Sequence, residues 1–167
     1  MRSVHLLPLA ALALALAAPA GTLAKPWQGI TPGASTRTDV VTRFGEPSTQ
    51  GKLGARTALV YRDDRAIVGT RQTQFVVRDD AIIAEINVFP ATQLDRDAVE
   101  GTYGKGAQKT FTDDFRSVWI YRALGVTVFF TKDQLVEAIR FQPPQAPAAV
   151  PAQEHKAPPA EAAPAAR

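Results

Sequence analysis

The apolar positions change period along the chain. Val40, Val41 and Phe44 recur at helical spacing inside a polar stretch, so one stripe of a short helix can face a core. Ser35 or Thr36 stands just before it, and either hydroxyl can accept a hydrogen bond from an orphan N–H of the first turn. Gly45 and Pro47 then stop the helix. A second helix is predicted after Asp95, with Ala98, Val99 and Tyr103 on its stripe and Gly104 and Gly106 at its end. Helices this short are marginal in water, so both must dock on something.

Around them the pattern turns to strands. Gln50 to Arg56 reads as a polar loop, and Thr57 to Arg62 as the first strand. Asp63-Asp64-Arg65 forms a turn, with Ala66 to Val68 as a short continuation. Gln72 to Arg78 is the second strand, Asp79-Asp80 a hairpin turn, and Ala81 to Phe89 the third strand. Strict alternation there places Ile82, Ala84, Ile86 and Val88 on one face and Ile83, Glu85, Asn87 and Phe89 on the other. Past the second helix, Ser117 to Arg122, Gly125 to Thr131 and Gln134 to Phe141 read as strands, with Lys132-Asp133 turning between the last two.

The halves line up in order and type. Val40, Phe44 and Gly45 match Val99, Tyr103 and Gly104, and Tyr61-Arg62 matches Tyr121-Arg122. Phe75 and Val77 match Val128 and Phe130, while Ile83, Ile86 and Pro90 match Val136, Ile139 and Pro143. The first half carries extra residues after its Tyr-Arg pair. A copy of roughly 55 residues is near the size at which a lone core is marginal, so two copies are expected to pack side by side. The expected fold class is α+β, with two tandem helix-plus-antiparallel-sheet modules, residues 25–90 and 91–142, and the helices on one face of the sheet.

The first-half run, Ile30, Pro32-Gly33, Val40 and Phe44-Gly45-Glu46-Pro47, followed by the strand ending at Tyr61 and the Asp79-Asp80 hairpin, resembles the SmpA/OmlA (BamE-like) envelope proteins. The doubled form is similar to the tandem architecture of β-lactamase inhibitor protein. The resemblance implies small modules that bind other proteins: the outer-membrane assembly machinery in the first case, an enzyme gripped by a concave sheet in the second. It spans residues 30–141. The second copy has Lys105-Gly106 where the first has Glu46-Pro47, and the chain has no cysteine to lipidate or to oxidise.

The two ends differ in composition. Arg2, the apolar run Leu6 to Ala18 and the small residues up to Ala24 have the layout of a secretory signal peptide, residues 1–24, cut after Ala20 or Ala24. The run is shorter than the ~20 residues of a bilayer span. The Pro/Ala-rich stretch 143–167 buries little surface and reads as a disordered tail. The formal charge of +3 on 167 residues is no footprint for nucleic acid.

Chemistry is sparse between these ends. The two histidines are His5 and His155, so the central region lacks the His or Cys of nucleophilic triads and of the usual zinc sites. No metal site or cofactor is expected. Asp63-Asp64, Asp79-Asp80 and Asp113-Asp114 suit turns better than acid–base work, because sequential residues on a strand point to opposite faces. Aromatic and Arg side chains are what binding hot spots favour, so the partner-binding candidates are Phe129, Arg62, Arg122 and Trp119. For the Tyr-Arg pairs the plainer alternative is a Tyr packed under its helix and an Arg stem covering the edge. The same alternation that turns Tyr121 inward turns Trp119 inward and leaves Phe129 on the open face. The expected protein is a non-enzymatic, exported binding module of the bacterial envelope, periplasmic or secreted and not lipid-anchored. Its expected partner is another envelope protein, and its expected role is that of an accessory in outer-membrane assembly or envelope maintenance. The alternatives are a cell-wall-associated protein targeted by its tail and an inhibitor of an envelope or secreted enzyme.

Overall fold

A computed structural model describes residues 24–145. The expected signal peptide and tail fall outside the described residues, except for Ala24 and residues 143–145. Among the described residues no helix is long and apolar enough to cross a membrane.

The chain forms α1 (Arg37–Phe44), β1 (Thr49–Leu53), β2 (Arg56–Arg62), β3 (Thr70–Val77), β4 (Ile83–Pro90), α2 (Arg96–Tyr103), β5 (Gln108–Phe111), β6 (Ser117–Tyr121), β7 (Val126–Phe130) and β8 (Val136–Phe141). All eight strands lie in one antiparallel sheet, in the order β1-β2-β3-β4-β8-β7-β6-β5. This corrects the expected fold. The described residues are mostly β with two short helices, and the halves are not two helix-plus-sheet modules. The reason is the central pairing of β4 with β8, Ile86 opposite Phe141 and Val88 opposite Ile139. Those four side chains belong to one continuous core that also takes in Val40 of α1 and Val99 of α2. Each half therefore completes the other's core.

Both helices dock on the same face. Thr36 caps α1 through its hydroxyl, which accepts from Asp39 N–H, while the Asp39 carboxylate accepts from Thr36 N–H. Asp95 caps α2 by accepting from Ala98 N–H. At the far ends, Tyr61 Oη donates to the Gly45 carbonyl at 2.8 Å and Tyr121 Oη donates to the Gly104 carbonyl at 3.0 Å. The tyrosines thus satisfy an orphan carbonyl at each helix stop while their rings fill the core. Trp27, Phe44, Tyr61 and Phe75 cluster around α1, with ring centroids 5.7 to 6.1 Å apart. The leading segment spans both halves: Lys25 N–H donates to Leu124 O, and Trp27 pairs with Ile30 beside that cluster.

Three strand expectations need correction. Residues 50–56 are no loop: β1 runs along one edge, and β5, unmarked in the sequence pattern, runs along the other. Both are exposed throughout and have no buried face to impose alternation. Ala66 to Val68 continues no strand. On β4 the register shifts, Val76 facing Glu85 and Val77 facing Ile83, so Ala84 is an extra residue. That bulge puts Ile83 in the core with Ile86 and Val88 and takes Ile82 off the core face.

Three connections share one hydrogen-bonded turn, closed by Arg78 N–H to Ile82 O, Thr112 N–H to Arg116 O and Thr131 N–H to Leu135 O. Each places a residue with positive φ before its closing position: Ala81 at 63°, Phe115 at 62° and Gln134 at 63°. Glycine is the residue suited to that position, so each turn carries backbone strain. Gly125, at φ 64°, is different: a Cβ there would lie 1.9 Å from the Gln142 carbonyl oxygen, where the chain leaves β8. A Cβ on Gly104, at φ 86°, would meet nothing within 4 Å. Gly104→Ala is expected to cost about 2 kcal/mol, the penalty of its φ 86°, ψ −179° backbone alone. Gly125→Ala is expected to cost about 3 kcal/mol, because backbone must also move. Urea unfolding of the two variants measures the difference.

Candidate functional site

With both helices on one face, the other is uncovered by any described element. Its side chains follow from the register. Val60, Gln74, Asn87, Arg140, Thr127 and Ile120 form one row across the sheet. Arg62, Gln72 and Phe89 begin the next row, and Ala138, Phe129 and Val118 end it. At the centre, the Arg140 guanidinium lies 5.1 Å from the Phe129 ring centroid, donates to Asn87 Oδ1 at 3.1 Å and stands 3.4 Å from Glu85 Oε1. Asn87 Nδ2 in turn donates to Glu85 at 2.7 Å. The network straddles β4 and β8, so the join between the halves is also the middle of the open face.

The β2–β3 corner is the most elaborated part of the molecule. In the second half the matching corner is a single helical turn, Arg122–Leu124, plus Gly125, and the cavity beside it is only 10 Å³. In the first half the chain takes Asp63 to Gly69 to make the same connection. Thr70 Oγ1 donates to Ile67 O, Ala91 N–H to Gly69 O and Gln28 Nε2 to Val68 O, which hold the corner in place. A cavity lies on each side of it. One, of about 430 Å³, is floored by Phe44 and Ile67 and rimmed by Glu46, Asp64 and Arg65. The other, of about 290 Å³, opens on the uncovered face between Arg62, Asp63, Arg71, Gln72 and Phe89.

The four candidates from the sequence are not brought together. Arg62 is half-exposed at the end of β2 and lines the second cavity. Phe129 lies half-buried on the same face beneath Arg140. Arg122 sits near the opposite edge, where its Nε donates to Gln108 Oε1 at 2.8 Å. Trp119 is corrected: it is 3% exposed on the helix side, its ring 5.0 Å from that of Phe130, with Lys109 and Arg96 over it. A side chain sealed this way presents no surface to a partner. Sequence reasoning missed Arg71 and the pairing of Phe89 with it. The extra length of the first corner was the available signal. The bulge between Thr70 and Gln72, which falls at Arg71, was not visible in the pattern.

The titrating groups that depart from ordinary values serve the scaffold. Asp39 is lowered by the Thr36 N–H and then its hydroxyl. Asp80 is lowered by the Ile82 N–H and then Arg78, and Asp114 by the Thr112 hydroxyl and Arg116. These are a helix cap and two hairpin turns. Burial raises Tyr61 and Tyr121 and pushes Tyr103 up to about 12. Among the described residues no group of three or more Asp, Glu, His or Cys side chains is placed to hold a metal ion.

No protein-family model matches the chain, and no curated protein matches it. A solved structure is similar: a DUF4309 family protein (YjgB) from Bacillus subtilis, with TM-score 0.52 and 18% identity over 71% of this chain and 86% of that one. At that identity the likeness concerns the fold alone. It overturns the resemblance to SmpA/OmlA (BamE-like) proteins and the tandem inhibitor. The residues that suggested it, Pro32-Gly33, Phe44-Gly45 and Pro47, make a turn and a helix stop, and any short docked helix uses them.

The lowered carboxylates set a pH dependence. Their native values lie below the unfolded value of about 4, so the stability they add is present above that pH. It is lost as pH falls through the lowered native values. Thermal melts from neutral pH into that acid range are expected to show the loss, and Asp80→Asn to reduce its slope.

Proposed function

We propose that the chain is an exported, non-enzymatic protein-binding module of the bacterial cell envelope, which takes its partner on the uncovered face of the sheet. The observation that carries this reading is the division of labour between the two faces. Both helices, the capping tyrosines and the aromatic core lie on one side. The other side presents Phe89, Phe129 and several guanidinium groups on strands held rigidly by the rest of the sheet. Rings supply much contact area for little conformational entropy, guanidiniums supply several N–H donors, and arginine and aromatic side chains are enriched in binding hot spots.

The non-enzymatic part rests on where the acids are. Asp79-Asp80 and Asp113-Asp114 occupy hairpin turns, and Asp63-Asp64 begins a single helical turn. Asp80 and Asp114 are engaged with a backbone N–H group and neighbouring side chains, while Asp63 and Asp64 border two different cavities. Export rests on the amino-terminal pattern of residues 1–24, and the reading without a lipid anchor on the lack of cysteine among the 167 residues. The location proposed is therefore the periplasm or the exterior.

The test is a cross-linked pull-down of the chain from its own envelope, compared with a Phe89→Ala, Phe129→Ala double variant. Loss of two central aromatic contacts is expected to weaken capture about tenfold or more, with the thermal melt showing a folded protein. Undiminished capture by the folded double variant would contradict this choice of face.

A further inference from the structure

The two guanidiniums beside the β2–β3 corner define a more specific site. We propose that the cavity between Arg62 and Arg71 is a subsite for a carboxylate side chain, an Asp or Glu of an extended partner segment, with an apolar neighbour of that residue resting on Phe89. This rests on the binding reading above and names the chemistry of the partner.

The charge balance of the open face singles out this corner. Arg140 is matched by Glu85, and Arg116 by Asp114 and Glu137. Arg71 has no carboxylate within ion-pair distance among the described residues. It makes one long hydrogen bond, Nη2 to Glu137 O at 3.4 Å, and lies 5.9 Å from the Phe89 ring centroid. The register shift between Thr70 and Gln72 falls at Arg71, and its side chain lines the cavity. Arg62 meets Asp63 at 3.5 Å, but the two side chains are 50% and 80% exposed. An ion pair that open to water is weak and readily exchanged for a better acceptor. Gln72 adds an amide to the same wall.

The chemistry follows from these groups. Two guanidiniums offer paired N–H donors to one carboxylate, the strongest kind of charged hydrogen bond available to this surface. The Phe89 ring provides an apolar floor, so an acid with an aliphatic neighbour fits better than a bare anion. An extended segment that places its acid here can run along the open face toward Ala138 and Phe129. A cavity of about 290 Å³ is enough for one acidic side chain and part of its neighbour, but small for a folded loop.

Titration of the full, isotope-labelled chain with acetyl-Leu-Glu-Leu-amide, followed by NMR, tests this. Saturable shifts are expected at the Arg62 and Arg71 side-chain N–H groups and at Gln72, and they should weaken as salt is raised. The acetyl-Leu-Gln-Leu-amide analogue is expected to bind at least tenfold more weakly. Arg71→Gln should reduce affinity for the Glu peptide about tenfold, while Arg122→Gln, at the far edge, should leave it unchanged. Equal shifts with the Glu and Gln peptides would overturn the proposal. So would unchanged affinity in Arg71→Gln, or a stronger response to inorganic phosphate than to the peptide. If the peptide fails to bind and the phenylalanine double variant still loses partner capture, the carboxylate subsite falls and the open-face reading stands. If the peptide binds and capture is unaffected, the open-face reading falls instead.

Discussion

The structure depends on the pairing of β4 with β8. Three register pairs join the halves there, and two of them carry core side chains on both strands. Without this seam each half would present an unpaired strand and an incomplete core. With it, the unpaired edges move outward to β1 and β5. Those edges are short, and each carries a lysine, Lys52 and Lys109, features that discourage pairing with other chains. The same seam makes the open face continuous, because Arg140 on β8 reaches Asn87 and Glu85 on β4.

The helices follow from the same constraint. Each is too short to persist alone. Each is held at one end by a side-chain cap and at the other by a tyrosine hydroxyl from the sheet. Placing both on one side commits that side to the core and leaves the other to function. The first half then departs from the second at its β2–β3 corner, where added residues open two cavities instead of closing a tight turn. That asymmetry is why the site is sought there rather than at the matching corner of the second half.

Much of the local structure could be read from residue types. Thr36, Gly45, Asp95 and Gly104 announce both helices because capping and helix-stop chemistry is local. Tyr61 and Tyr121 were marked by their matching positions. The edge strands were hidden because they bury nothing, and a period of two is written only where one face is buried. The start of β4 was misread because one extra residue, Ala84, puts Ile83 rather than Ile82 on the face of Ile86 and Val88. The union of the halves into one sheet was open because it depends on β4 finding β8, a pairing of strands far apart in sequence. The open-face positions of Arg62 and Phe129 were legible from the strand pattern. Trp119 was misassigned because being aromatic does not decide between core and contact. Arg71 depended on a bulge that no pattern marked.

The central claim is that the uncovered sheet face, and not the helix face, meets the partner. Site-specific photo-cross-linking tests it most directly, with a photoreactive phenylalanine analogue placed at Phe89 in one preparation and at Thr42, exposed on α1, in another. A discrete cross-linked partner is expected from position 89 and none from position 42. The same partner captured from position 42, with nothing from position 89, would contradict it.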